Sequence, residues 1–172
     1  QQKNAVDTIR TSIGTVLLHG ITGSGKTAVY IESAKRAIAD GKSVILLVPE
    51  IALTAQLIDE FSHHFDDIIL THSKQTEAER HAAWKSALYS DTPRIAIGPR
   101  SALFLPLRNL GLILVDEAHE PAFKQEQSPR YSALRAASVL AKRYSAPVVL
   151  GSATPLVSDF FTATHANTPI IS

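Results

Sequence analysis

Short, continuous apolar runs alternate with longer amphipathic stretches along this chain. The runs occupy residues 16–19, 44–48, 68–71, 95–97, 112–115 and 148–150 and draw mainly on Val, Ile and Leu. Runs that are apolar at nearly every position, rather than at every second one, belong to strands covered on both faces. The stretches 26–39, 52–65, 77–89, 132–144 and 156–163 carry apolar residues at helical spacing. This alternation predicts an α/β fold, a parallel β-sheet flanked by helices on both faces. Asp40-Gly41 closes the first helix with a glycine suited to a left-handed cap. Ser90 to Pro93 breaks the third helix, and Pro147 precedes the last strand. Trp84 and the apolar spacing over 134–140 read as core. One long stretch, 120–131, has no regular pattern and holds two prolines; irregular segments of that length are often functional.

Composition narrows the class only modestly. The 172 residues suit one domain with its own core. A hydrophobic content of 45% and a mean hydropathy of +0.05 suit a globular protein. No apolar run approaches the roughly 18 residues of a membrane helix, so no membrane partner is expected. No signal peptide opens the chain. Cys is absent, which removes disulfide frames and thiolate metal sites from this chain. His63 and His64 are adjacent and point apart on a helix, and neither they nor His72 sit in an acidic cluster, so surface and strand-end roles are expected. The net charge of +1 leaves nucleic-acid binding open, because basic residues can be confined to one face. Met is absent even at position 1, and residues 168–172 read as the start of a connection; both suggest a domain excised from a longer protein.

The chemistry begins at Gly20-Ile-Thr22-Gly23-Ser24-Gly25-Lys26-Thr27, which fits G-x-x-x-x-G-K-[ST] between a strand and a helix. Glycines let successive N–H groups turn toward one phosphate, and the helix N-terminus adds partial positive charge. Lys26 is placed to reach the β- and γ-phosphates of ATP, and the Thr27 hydroxyl to hold Mg²⁺.

A second element follows the strand at 112–115: Asp116, Glu117, Ala118 and His119. Strand carboxyl ends face the ligand crevice in open α/β sheets, so both carboxylates should emerge beside the phosphates. Asp116 can complete the Mg²⁺ shell opposite Thr27. Glu117 can orient and deprotonate the attacking water. Adjacent carboxylates at this place favour hydrolysis over transfer to a substrate hydroxyl.

Asp116-Glu-Ala-His119 resembles motif II of the superfamily 2 helicases. Four other segments follow the order of that superfamily. The phosphate loop is similar to motif I, the segment from Pro49 to Thr54 to motif Ia, Gly98-Pro-Arg100-Ser101 to motif Ib, and Gly151-Ser152-Ala-Thr154-Pro155 to motif III. Gln2 stands where a glutamine often reads adenine. Longer matches, including Asn109-Leu-Gly-Leu-Ile and the stretch from Lys124 to Tyr131, resemble the replication-restart branch of that superfamily over nearly the whole chain. Ala118 departs from a glutamate common in that branch, and Phe123 from a tyrosine.

What the resemblance implies is the first of two RecA-like lobes of a 3′-to-5′ translocase, acting on single-stranded and forked DNA in the bacterial cytoplasm and using ATP and Mg²⁺. The second lobe, a DNA-binding region and a zinc-holding cysteine module would lie outside this chain, and primosome and single-strand-binding proteins would be partners. The resemblance also implies that Phe123, Lys124, Arg130 and Tyr131 form an aromatic-rich loop that senses single-stranded DNA. Aromatic rings that stack on bases, beside cations that meet phosphates, suit that task. Thr54, Arg100 and Ser101 become candidates for DNA backbone contacts. His119, Ser152 and Thr154 become links between the nucleotide and DNA sides. Two alternatives carry different chemistry: another DNA or RNA translocase lobe, and a nucleotide-binding interaction domain without turnover.

Overall fold

The structure, a computed structural model, describes residues 2–21, 24–49, 55–154 and 168–171. Its main sheet has seven strands. They are β1 (Gly14–His19), β2 (Ser43–Leu47), β3 (Ile68–Leu70), β4 (Ile95–Gly98), β5 (Leu110–Val115), β8 (Pro147–Ser152) and β9 (Ile170–Ile171). Their order across the sheet is β3-β4-β2-β5-β8-β1-β9, with every pairing parallel. The helices are α1 (Gln2–Thr11), α2 (Lys26–Ala39), α3 (Ala55–Ser62), α4 (Glu77–Leu88) and α5 (Ala133–Tyr144).

Successive strand residues point to opposite faces, which explains the unbroken apolar runs. Val44, Leu46, Leu112 and Leu114 join one core with Val6, Ile9, Tyr30, Ala34 and Phe61 from α1, α2 and α3. Ile45, Leu47, Ile113 and Val115 join the other with Ala87, Ala137 and Ala141 from α4 and α5. The sheet is thus a middle layer, and its carboxyl edge carries the loops that follow β1, β2, β4, β5 and β8.

Several expectations need correction. Helix α1 escapes the pattern because its apolar stripe is only Ala5, Val6 and Ile9; it is held on α2, with Arg36 paired to Asp7. Trp84 is not core: its residue is 43% exposed, and Ala87 alone is buried on α4. Charged side chains surround that helix, which offers the sheet only small alanines and starts instead on a capping box between Thr76 and Glu79. On α5 the buried stripe is Ala133, Ala137 and Ala141, with Leu134 and Leu140 half-buried beside it. Small residues at four-residue spacing bring the helix axis close to the sheet and push the leucines to the flanks. The 120–131 stretch is partly regular: a 3₁₀ turn at Pro121–Phe123 leads into a two-stranded antiparallel ribbon of β6 (Lys124–Gln125) and β7 (Tyr131–Ser132). The helix expected at 156–163 and the first residues of the one expected at 52–65 lie outside the described residues.

Candidate nucleotide site and its coupling segments

The phosphate loop joins the end of β1 to the start of α2. The Gly20 N–H donates to the Ser152 carbonyl (3.2 Å), which ties the loop to the end of β8. Gly25 has φ +89°, a left-handed conformation that glycine adopts at no steric cost. A Cβ there would also press on the Gln2 side-chain amide, so Gln2 lies directly over the loop. Gln2, Gly20, Ser24, Gly25 and Lys26 border a cleft of about 530 Å³. Lys26 Nζ donates to the Gly20 carbonyl at 2.7 Å and lies 3.7 Å from Glu117 Oε1. The lysine is therefore folded across the loop, on a carbonyl that an incoming phosphate can outcompete. Thr27 follows it, half-buried in the first turn of α2. Thr22 and Gly23 lie outside the described residues.

The acidic segment sits opposite. Asp116 N–H donates to the Leu47 carbonyl (2.8 Å), continuing the β5–β2 ladder one residue beyond β5. The chain then turns through Glu117 at φ +46°, rare for a residue with a side chain and a form of strain found at functional sites. The Ala118 N–H donates to the Gly151 carbonyl (2.9 Å) and anchors the turn on β8. Burial raises the Asp116 carboxyl above the usual carboxylate range, and the nearby Glu117 charge adds to this. The Tyr30 hydroxyl, which donates to Asp116 Oδ1 at 3.1 Å, and the Lys26 charge oppose the shift. Burial, followed by the Asp116 charge, pushes the Tyr30 phenol far above its ordinary range, so Tyr30 is a fixed donor.

Glu117 also reaches the other way. Its Oε2 lies 3.6 Å from His119 Nδ1, which shares a 2.8 Å hydrogen bond with Ser152 Oγ. Ser152 Oγ in turn accepts from the Thr154 N–H at 3.1 Å. Lys26, Glu117, His119, Ser152 and Thr154 therefore form one continuous chain of contacts. Thr27 and Asp116 offer a hydroxyl and a carboxylate, the hard oxygen donors that Mg²⁺ prefers. A half-buried carboxylate beside a phosphate loop is the kind of group a divalent cation would compensate, so these residues fit the ion.

The expected DNA-facing residues divide. Arg100 Nη1 donates to the carbonyls of Ala122 (2.7 Å) and Lys124 (3.3 Å), so its guanidinium braces the segment after Glu120. Phe123 is 2% exposed and packs in the core beneath that brace, which corrects its expected place among exposed stacking rings. It also borders the cleft lined by Arg100, Ser101 and Tyr131. Tyr131 is half-buried, with its ring edge-to-face on Phe104 at 5.4 Å, and burial raises its phenol. Lys124, Arg130 and Ser101 are exposed, and Arg130 Nε holds the Glu126 carbonyl at 3.0 Å. Pro49, His72, Arg80, Arg100, Ser101 and Tyr131 border a cleft of about 370 Å³ on this side. Thr54 lies outside the described residues.

Sequence reasoning passed over Tyr30. A hydroxyl within the buried run Val29-Tyr30-Ile31, one turn after Lys26, requires a polar partner, and that was the available signal.

A phosphate loop facing an acidic strand end on a parallel sheet, with a serine-histidine link between them, defines a P-loop NTPase domain of helicase type. The chain belongs to the DEAD/DEAH box helicase family, which matches residues 1–160. Among its relatives is the Bacillus subtilis protein named Replication restart protein PriA, 41% identical over 166 residues, a match spanning 93% of this chain and 20% of that protein. The protein of the same name in Chlamydia pneumoniae is 46% identical over 170 residues, spanning 95% of this chain and 23% of that protein. The chain thus spans about a fifth of the length of these curated relatives. Its fold is shared with the Pyrococcus furiosus Hef helicase domain (TM-score 0.69, 18% identity, 99% of this chain and 36% of that one). It is also shared with a DEAD box protein from Methanococcus jannaschii (TM-score 0.67, 18% identity, 99% and 48%). The expected RecA-like architecture is therefore the observed one. Among the described residues no helix is long and apolar enough to cross a membrane.

Proposed function

We propose that this chain is the ATP-binding motor lobe of a replication-restart DNA helicase that hydrolyses ATP to move 3′ to 5′ along single-stranded DNA in the bacterial cytoplasm. The observation that carries this reading is the unbroken link from Lys26 through Glu117 and His119 to Ser152. It joins the phosphate loop to the strand end that leads toward the DNA side.

ATP enters with its phosphates over 20–27 and its adenine beside Gln2, and Lys26 leaves the Gly20 carbonyl for the β- and γ-phosphates. Thr27 and Asp116 would hold Mg²⁺, which would neutralise charge at the phosphates. Glu117 accepts the proton of the attacking water, and the γ-phosphoryl leaves as inorganic phosphate. His119 and Ser152 carry the change in Glu117 toward Thr154. DNA lies along the side bordered by Arg100, Ser101, Lys124, Arg130 and Tyr131.

An arginine from the second lobe completes the site, a type of contribution worth about 10³-fold or more in phosphoryl transfer. Turnover by the isolated lobe is therefore very slow. Primosome proteins, single-strand-binding protein and forked DNA are the proposed partners of the whole protein, which also holds zinc outside this chain.

The test is DNA-stimulated ATPase activity of the full-length protein. Lys26→Ala and Glu117→Gln should each lower it by at least about 100-fold. Unchanged activity in both variants refutes the motor reading, and stronger stimulation by single-stranded RNA than by DNA changes the track.

A further inference from the structure

The geometry points to Tyr30 as a positioning residue that fixes the Asp116 carboxylate for Mg²⁺, in a space that Gly151 keeps open; this rests on the nucleotide site proposed above. Tyr30 lies on α2, one turn beyond Lys26, and is 1% exposed. Its hydroxyl crosses from that helix to the end of β5 and donates to Asp116 Oδ1 at 3.1 Å. The phosphate-loop helix thus holds the acidic strand end directly, independently of the Lys26–Glu117 contact.

The third member of the arrangement is on β8. A Cβ placed on Gly151 would overlap the Tyr30 hydroxyl and crowd its ring. Gly151 lies in regular strand paired with Leu18, so its need is for space rather than for an unusual backbone. The Gly151 carbonyl also accepts the Ala118 N–H, two residues beyond Asp116. Helix α2 therefore holds the carboxylate at the end of β5 directly, and β8 supports it by leaving room for the Tyr30 hydroxyl and by anchoring the turn after Asp116. A carboxylate with one oxygen engaged by a fixed donor keeps its plane and presents the other oxygen in a constant direction. Mg²⁺ demands near-ideal ligand geometry, so losing such a support weakens metal binding more than it weakens the fold.

The test uses full-length protein and a fluorescent methylanthraniloyl-ADP probe, titrated with Mg²⁺ and, separately, in EDTA. Tyr30→Phe keeps the ring and removes the hydroxyl. It should raise the Mg²⁺ concentration for half-maximal Mg²⁺-dependent binding by about tenfold. Binding in EDTA should match wild type. Gly151→Ala displaces the hydroxyl without removing it and should shift the Mg²⁺ dependence in the same direction, which keeps the test decisive if Tyr30→Phe does not fold. A Mg²⁺ dependence unchanged in either folded variant overturns the positioning role. A wild-type protein whose probe binding ignores Mg²⁺ overturns the nucleotide-site reading itself.

Discussion

His119 Nδ1 and Ser152 Oγ, 33 residues apart in sequence, share a 2.8 Å hydrogen bond between the turn after β5 and the end of β8. Ser152 is buried, and its Oγ also receives the Thr154 N–H. Any movement of Glu117, 3.6 Å from the same imidazole nitrogen, therefore has a direct path to residues 152–154. Ser152→Ala should fold, at a stability loss of about 1–3 kcal/mol, because it leaves His119 Nδ1 and the Thr154 N–H without their hydrogen-bond partner. In the full-length protein it should keep basal ATP hydrolysis while losing about tenfold of the DNA-stimulated component, the effect of about 1.4 kcal/mol lost from coupling. Equal loss of both components would mean that Ser152 serves hydrolysis itself.

Arg100 supplies a second prediction. Its Nη1 serves both the Ala122 and Lys124 carbonyls, and the shorter lysine side chain lacks the reach and the fixed N–H directions of the planar guanidinium. Arg100→Lys keeps the charge and loses this brace. The concentration of single-stranded DNA needed for half-maximal ATPase stimulation should rise about three- to tenfold, with little change in ATP affinity. If Arg100 acted only as a cation toward phosphate, Lys would restore most of the response, so full activity in Arg100→Lys excludes the brace.

The third prediction concerns the face of α5 that the sequence pattern misassigned. Ala137 is fully buried against the sheet, whereas Leu134 and Leu140 lie at the flanks. Ala137→Leu forces three extra carbons into a closed contact and should destabilise the protein by about 1–3 kcal/mol. Leu134→Ala removes the same three carbons from a partly solvated position, so it should cost less than the roughly 2–5 kcal/mol typical of a core leucine and less than Ala137→Leu. Thermal melting of the two variants checks the ranking, and the reverse order would restore the leucines to the core.

That misassignment marks where the sequence was legible. Helix α2 begins and ends as its pattern predicts, because a lysine-threonine start and an Asp40-Gly41 finish are local chemistry. The strands were legible because two-sided burial leaves unbroken apolar runs. Which side chains of α5 face the sheet depends on how closely the helix approaches, and periodicity counts an alanine and a leucine alike. That Lys26, Asp116, Glu117, His119 and Ser152 come together was legible because each ends or follows a strand on the same edge of the sheet. Tyr30 and the burial of Phe123 were not, since both follow from contacts between elements far apart in sequence. Arg100 stood out as a candidate for DNA contact, but the carbonyls it holds were not legible.

Helix α4 provides a test by acidity. The Thr76 backbone N–H donates to Glu79 Oε2 at 2.7 Å, and the Thr76 hydroxyl adds a 2.9 Å bond to the same oxygen. These bonds, the backbone one foremost, hold the Glu79 carboxyl below its ordinary value of 4.5. A carboxyl lowered in the folded state stabilises the fold above its unfolded value, and that contribution disappears as pH falls through the folded value. Glu79→Gln should therefore be less stable than the parent near neutral pH, and the gap should close as pH falls below the ordinary glutamate range and through the lowered folded value. Denaturant midpoints for both proteins across that range measure it. The effect should be small, because the pair is exposed, and it should weaken with salt. A gap that stays constant with pH would assign the stability to the shape of the capping box rather than to the charge of Glu79.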